Sequence, residues 1–130
     1  MSLCLAAGAI TASLAIQAFT LAWAHSIEKI RWEEDWRVEE NQLHLVEARI
    51  KGTGAGMEPP PDAVLRDGAW HYRPEVAALP VLTLAHSPYT AGYEFCTNGA
   101  CIPLVDFLPG IAETATIMIT GCRSGNGSDP

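Results

Sequence analysis

Phe19-Thr20-Leu21-Ala22-Trp23-Ala24 and, a few residues later, Trp32-Glu33-Glu34-Asp35-Trp36 are the stretches that decide the fold. In the first, Phe19, Leu21 and Trp23 alternate with small or polar residues. In the second, Trp32, Glu34 and Trp36 fall on one side of an extended chain, with Glu33 and Asp35 on the other. A helix would repeat its apolar positions every 3.6 residues, whereas a half-buried strand repeats them every two. The spacing predicts one strand over 18–28 and a second over 30–38.

Outward from this pair the punctuation is that of short strands. Asn41-Gln42 reads as a turn, and Leu43, Leu45 and Val46 open a strand that ends near Lys51. Gly52 to Gly56, followed by Met57-Glu58 and Pro59 to Pro61, cannot hold a helix or a central strand, because glycine frees φ and proline removes a donor. Asp67-Gly68 is a turn signal ahead of a short strand, Ala69-Trp70-His71-Tyr72. Val81, Leu82 and Leu84 begin another that stops at Ser87-Pro88. Tyr93 to Cys96 and Cys101 to Leu104 flank Asn98-Gly99, the favoured hairpin dipeptide. Val105–Ala112 has room for one helical turn, and Thr114 to Thr120 alternates again. The expectation is an all-β fold, a small sandwich or barrel of antiparallel strands, forming one domain over 1–123 with a flexible tail over 124–130.

The first 24 residues carry no charged side chain. Three readings compete: two strands, near Ser2–Ala7 and Ile10–Ile16 with a break at Gly8; a cleaved export signal ending at Ala22-Trp23-Ala24; or a membrane anchor. No Lys or Arg precedes the apolar run, which argues against a signal. Thr11, Ser13, Gln17 and Thr20 interrupt the roughly 20 apolar residues that a membrane helix needs. Strands are the favoured reading. The location is periplasmic or membrane-associated if the chain is exported, and cytoplasmic otherwise.

With 130 residues, 48% of them hydrophobic, the chain can bury a core. Its net charge is −7, from 15 acidic and 8 basic residues, so nucleic acid is not an expected partner. With Asn98 and Gly99 as turn residues, Cys96 lies opposite Cys101 in a non-hydrogen-bonded pair, about 4.5 Å apart at Cα. A disulfide is geometrically allowed there. Cys4 and Cys122 lie on the first and last strands and bridge if those strands are neighbours. Free thiols and a metal site are the alternatives, and the Cys96–Cys101 spacing is wider than a zinc knuckle uses. No cofactor is expected.

The segment from His25 to Trp36 gathers an imidazole, a hydroxyl, carboxylates and two indoles. Its functional reading is a ligand site; its structural reading is core indoles above a solvated charged face. The glycine loop lacks the Lys-Ser/Thr of a phosphate-binding loop and leads into prolines, which argues against that chemistry.

His25-Ser26-Ile27-Glu28-Lys29 with Trp32 to Trp36, then Glu47-Ala48-Arg49-Ile50-Lys51-Gly52-Thr53-Gly54-Ala55-Gly56-Met57-Glu58-Pro59-Pro60, Gly68 to Tyr72 and the Cys96…Cys101 hairpin together resemble the bacterial domain-of-unknown-function family 1850. The likeness covers roughly residues 3–122. The family has no established activity. Its members resemble small companions encoded beside TAXI-type tripartite ATP-independent periplasmic (TRAP) transporters. The resemblance therefore implies a non-enzymatic accessory or small-molecule-binding domain in solute uptake, with transporter subunits or a small molecule as partners. The expected ligand-binding residues are His25, Ser26, Glu28, Lys29, Trp32 and Glu33, faced by Gly54, Gly56, Met57 and Glu58. A small hydrolase pairing His25 with Glu28 or Glu33, and a purely structural β domain, are the rival readings.

Overall fold

The computed structural model describes residues 2–24, 30–51, 61–89 and 92–122. Within them the chain is all-β. Its strands are β1 (Ser2–Ala7), β2 (Ile10–Leu14), β3 (Ala18–Ala24), β4 (Arg31–Glu39), β5 (Gln42–Lys51), β6 (Val64–Arg66), β7 (Ala69–Tyr72), β8 (Leu82–His86), β9 (Glu94–Thr97), β10 (Ala100–Pro103) and β11 (Ala115–Cys122). They form two antiparallel sheets, a four-stranded one ordered β2-β1-β11-β8 and a seven-stranded one ordered β10-β9-β3-β4-β5-β7-β6. The N-terminal run is therefore two strands of the domain, the second ending at Leu14, short of the expected Ile16. Among the described residues no helix is long and apolar enough to cross a membrane. The expected C-terminal tail over 124–130 lies outside the described residues.

Both sheets contribute to one buried cluster, which makes the arrangement a sandwich. Leu3, Leu5, Leu84, Ile117 and Ile119 come from the smaller sheet. Phe19, Leu21, Trp36, Val38, Leu43 and Phe95 come from the larger, and Leu104 and Leu108, at the start of and just after a 3₁₀ turn at Leu104–Phe107, complete the cluster. Burying each large side chain contributes roughly 1.5–3 kcal/mol. The sheets approach each other closely at Gly121, where an added Cβ would lie 2.7 Å from Val38 Cγ1 and 3.1 Å from the backbone of Asn41.

Three hairpins share one turn geometry. Glu40–Asn41, Asp67–Gly68 and Asn98–Gly99 all have positive φ at both turn residues, the twist that matches the flanking strands. The first turn sits one residue earlier than Asn41-Gln42, because β4 and β5 pair Glu39 with Gln42. The strand β5 also carries a bulge: Asp35 faces Glu47 and Trp36 faces Leu45, leaving Val46 as the extra residue. The bulge reverses the parity of β5, so that Leu43 and Leu45 and then Ala48 and Ile50 all point inward.

Both disulfides form. Cys96–Cys101 spans the Asn98–Gly99 hairpin with Cα atoms 4.0 Å apart. Cys4–Cys122 joins β1 to β11 diagonally, since Cys4 pairs directly with Thr120 and Ser2 with Cys122.

Two stability measurements follow. The Cys4–Cys122 bridge spans 118 residues and Cys96–Cys101 spans 5. Loop-closure entropy then sets losses of about 5 and about 2 kcal/mol when each pair is changed to serine, read by denaturant unfolding. Glu40 holds φ of 52° without being glycine. Glu40→Gly should raise stability by about 0.5–1 kcal/mol in the same assay.

Candidate functional site

Antiparallel pairing turns the outer face of the seven-stranded sheet into a grid of charges. One row across the strands runs Cys101, Cys96, Thr20, Asp35, Glu47. The next runs Glu94, Ala22, Glu33, Arg49, His71. The third runs Ala24, Arg31, Lys51, Ala69, Arg66. Period two on β4 presents Glu33 and Asp35 together, and period two on β5 sets Arg49 and Lys51 against them.

Arg49 is the hub. Its Nη1 and Nη2 donate to Asp35 Oδ2 and Oδ1 at 2.6 and 2.7 Å, a bidentate fork. Its Nε donates to Glu33 Oε1 at 2.9 Å, and Nη1 also reaches Glu47 Oε1 at 3.1 Å. Thr20 Oγ1 donates to Asp35 at 2.6 Å, and His71 Nδ1 meets Glu47 at 2.9 Å. Arg31 repeats the pattern on the hairpin side, binding Glu33 Oε2 at 2.8 Å and Glu94 Oε1 at 2.6 Å. Its Nη2 lies 3.6 Å from Cys101 Sγ and 3.9 Å from Cys96 Sγ. Lys51 Nζ stands 3.4 Å from Glu33 Oε2.

Glu33 is only 8% exposed. Burial pushes its carboxyl upward, but hydrogen bonds from Arg31 and Arg49 and the charges of Lys51 and Arg49 outweigh this and hold it at about 2. Against the opposing effect of burial, Arg49 with help from Thr20 holds Asp35 below the ordinary carboxylate range, and His71 together with Arg49 does the same for Glu47. The segment leading into β3 and the β9–β10 hairpin border two adjoining hollows over this grid, of about 910 and 330 Å³. Both are bordered by Thr20, Arg49, Thr97 and Asn98.

The inner face behaves differently. Trp23 pairs with Trp32, Trp32 with Ile50 and Ile50 with Trp70, giving an aromatic row. The adjacent row is Leu21, Glu34, Ala48, Tyr72. The Trp23 and Trp32 rings stack at 6.3 Å, and Tyr93 tilts onto Trp23 at 5.6 Å.

Of the residues expected to bind ligand, Trp32 and Glu33 are placed, and they point to opposite faces of β4: Trp32 joins the inner aromatic row and Glu33 the outer grid. His25, Ser26, Glu28, Lys29, Gly54, Gly56, Met57 and Glu58 lie outside the described residues. The strand ends leading into those segments, Ala24, Arg31 and Lys51, are register neighbours. The sequence reading did not single out Arg49, Asp35, Glu47, His71 or Thr20. The signal was present as Glu47, Arg49 and Lys51 at period two, opposite in charge to Glu33 and Asp35.

Among the described residues no cluster of three His, Cys, Asp or Glu has the arrangement to hold a metal ion. No curated protein and no solved structure matches the chain. The family described as Domain of unknown function (DUF1850) matches residues 19–104. That span runs from within β3 to the start of the 3₁₀ turn, and so takes in almost all of the seven-stranded sheet together with β8. It includes the whole charge grid, Trp32 and the Cys96–Cys101 hairpin, and leaves out β1, β2 and β11. A match over most of the chain, centred on the sheet that carries both faces described above, makes this protein a member of the DUF1850 family.

Proposed function

We propose that the chain is a non-enzymatic accessory domain of a TAXI-type TRAP solute uptake system, and that the hollowed outer face of its seven-stranded sheet is the surface it presents to a transporter subunit. The observation that carries this reading is the open hollow of about 910 Å³ floored by the Arg49 network. Its ion pairs are partly exposed, with Arg31 and Lys51 at 32% and 51% side-chain exposure. A partner bearing its own charges can exchange with such pairs, and complementary charge sets the encounter rate and the register of docking. The transporter link itself rests on the family resemblance.

The hydrolase reading is less well supported. A general base works best with a pKa near the working pH. Glu33, at about 2 and gripped by three cations, is a poor proton acceptor at neutral pH.

The network has a pH signature. The folded value of about 2 for Glu33 lies below its ordinary 4.5. The stabilisation is therefore fully present above 4.5 and is lost as pH falls from there through about 2. Urea unfolding at stepped pH should show this acid limb, and Glu33→Gln should flatten it while lowering stability at pH 7. For function, the tagged chain should co-purify from membranes with the transporter's membrane and solute-binding subunits. Arg49→Ala and Asn98→Arg should weaken the association, and added salt should weaken it further. Absence of co-purification, with normal solute uptake after gene deletion, would remove the proposal.

A further inference from the structure

The three consecutive carboxylates of β4 meet different fates. Glu33 and Asp35 sit in the outer grid, each with a guanidinium partner. Glu34 turns inward, where its Oε1 accepts a hydrogen bond from Trp36 Nε1 at 3.3 Å. Among the described residues it is the one carboxylate that is not fully exposed and has no basic partner. Glu39, Glu47 and Glu94 each have one, and the remaining described carboxylates are open to solvent. Burial pushes the Glu34 carboxyl above its ordinary range, with only the Trp36 hydrogen bond opposing. Its charge is felt by Tyr72 and Tyr93, whose hydroxyls are pushed up by burial and by Glu34.

A half-buried carboxylate without a cation is costly, and its surroundings say what would relieve it. Tyr72 lies in the Glu34 row, and Trp32 lies one pleat repeat away on the same strand, about 7 Å along it. Trp23 and Trp70 extend the Trp32 row on either side. Trp23, Trp32, Trp70, Tyr72 and Tyr93 all keep partial solvent exposure, so this end of the inner face is not sealed as the core is. Indole and phenol faces attract cations, most strongly where water is partly excluded. A divalent metal would need several oxygen ligands, and one carboxylate among rings does not supply them. A neutral apolar ligand would bury Glu34 further and leave it unpaired.

We infer that this inner aromatic face is a binding site for an organic cation carrying a substituted ammonium group, with Glu34 as its counter-ion and the indole and phenol rings as its walls. The site is separate from the outer face proposed to dock the transporter and does not depend on that docking. The net charge of −7 draws such cations toward the protein.

The test is titration of the purified full chain with tetramethylammonium chloride, followed by tryptophan fluorescence and calorimetry. Sodium chloride at matched ionic strength and neopentyl alcohol serve as controls. A saturable response to tetramethylammonium, absent with both controls, is expected. Glu34→Gln, checked for folding by circular dichroism, should bind at least tenfold more weakly, and Trp70→Leu should also weaken binding. Affinity of the unmutated chain should fall as acid protonates Glu34. A flat titration, an equal response to the neutral isostere, or unchanged affinity in folded Glu34→Gln would each overturn the assignment.

Discussion

Everything that distinguishes this domain depends on the pleat of β4 at the centre of the seven-stranded sheet. Nine consecutive residues, Arg31–Glu39, stay in one unbroken period of two, paired on both sides by β3 and β5. Trp32, Glu34, Trp36 and Val38 are thereby committed to the inner face, and Arg31, Glu33, Asp35 and Arg37 to the outer. Its neighbour β5 cannot follow the same parity with its own sequence. Leu43 and Leu45 need the core, and so do Ala48 and Ile50, which have the opposite parity. The bulge at Val46 absorbs the extra residue and lets both halves bury. Without it, Glu47, Arg49 and Lys51 would point into the sandwich and the outer grid would not exist.

Charge is also divided between the two sheets, by the sequences of their strands. The strands β1, β2, β8 and β11 contain no Asp, Glu, Lys or Arg at all. The seven-stranded sheet carries the ion pairs. Isolated surface pairs contribute little, but here one guanidinium serves Glu33, Asp35 and Glu47 while being only 17% exposed. Removing Arg49 would leave three carboxylates crowded together, so its role is to make their coexistence possible as much as to add stability. The smaller sheet works by another means: apolar packing on its inner face and a covalent tie between its first and last strands.

Much of the fold was legible because period two is a local signal. Phe19, Leu21 and Trp23 announced β3, Trp32 to Trp36 announced β4, and Asn98-Gly99 located the hairpin that places Cys96 against Cys101. The pairing of β1 with β11 was only a conditional expectation, since contact between the two ends of a chain leaves no local trace. The candidate sites were less legible. Trp32 and Glu33 were expected in one ligand site, yet as adjacent residues of a strand they face opposite sides. The role of Arg49 was not legible, because it arises from the register of β4 on β5, which the bulge shifts. A reader who knew that register would have found Glu33 opposite Arg49 from charge alone.

Glu33, Glu34 and Asp35 also show why composition is a poor guide to a site. The three acids follow one another in the chain, and only the period of two sets Glu34 on the side of the indoles and Glu33 and Asp35 on the other. Pleating gives the outer two cations that favour ionisation and gives the inner one aromatic rings that do not. The two outer acids therefore stabilise the fold in their charged form, and the inner one strains it in that form. A protein selected for stability alone would be better served by an apolar residue at position 34, packed between Leu21 and Ala48. A carboxylate kept there against its own solvation needs another reason, and the surrounding indoles and phenols supply the chemistry of one.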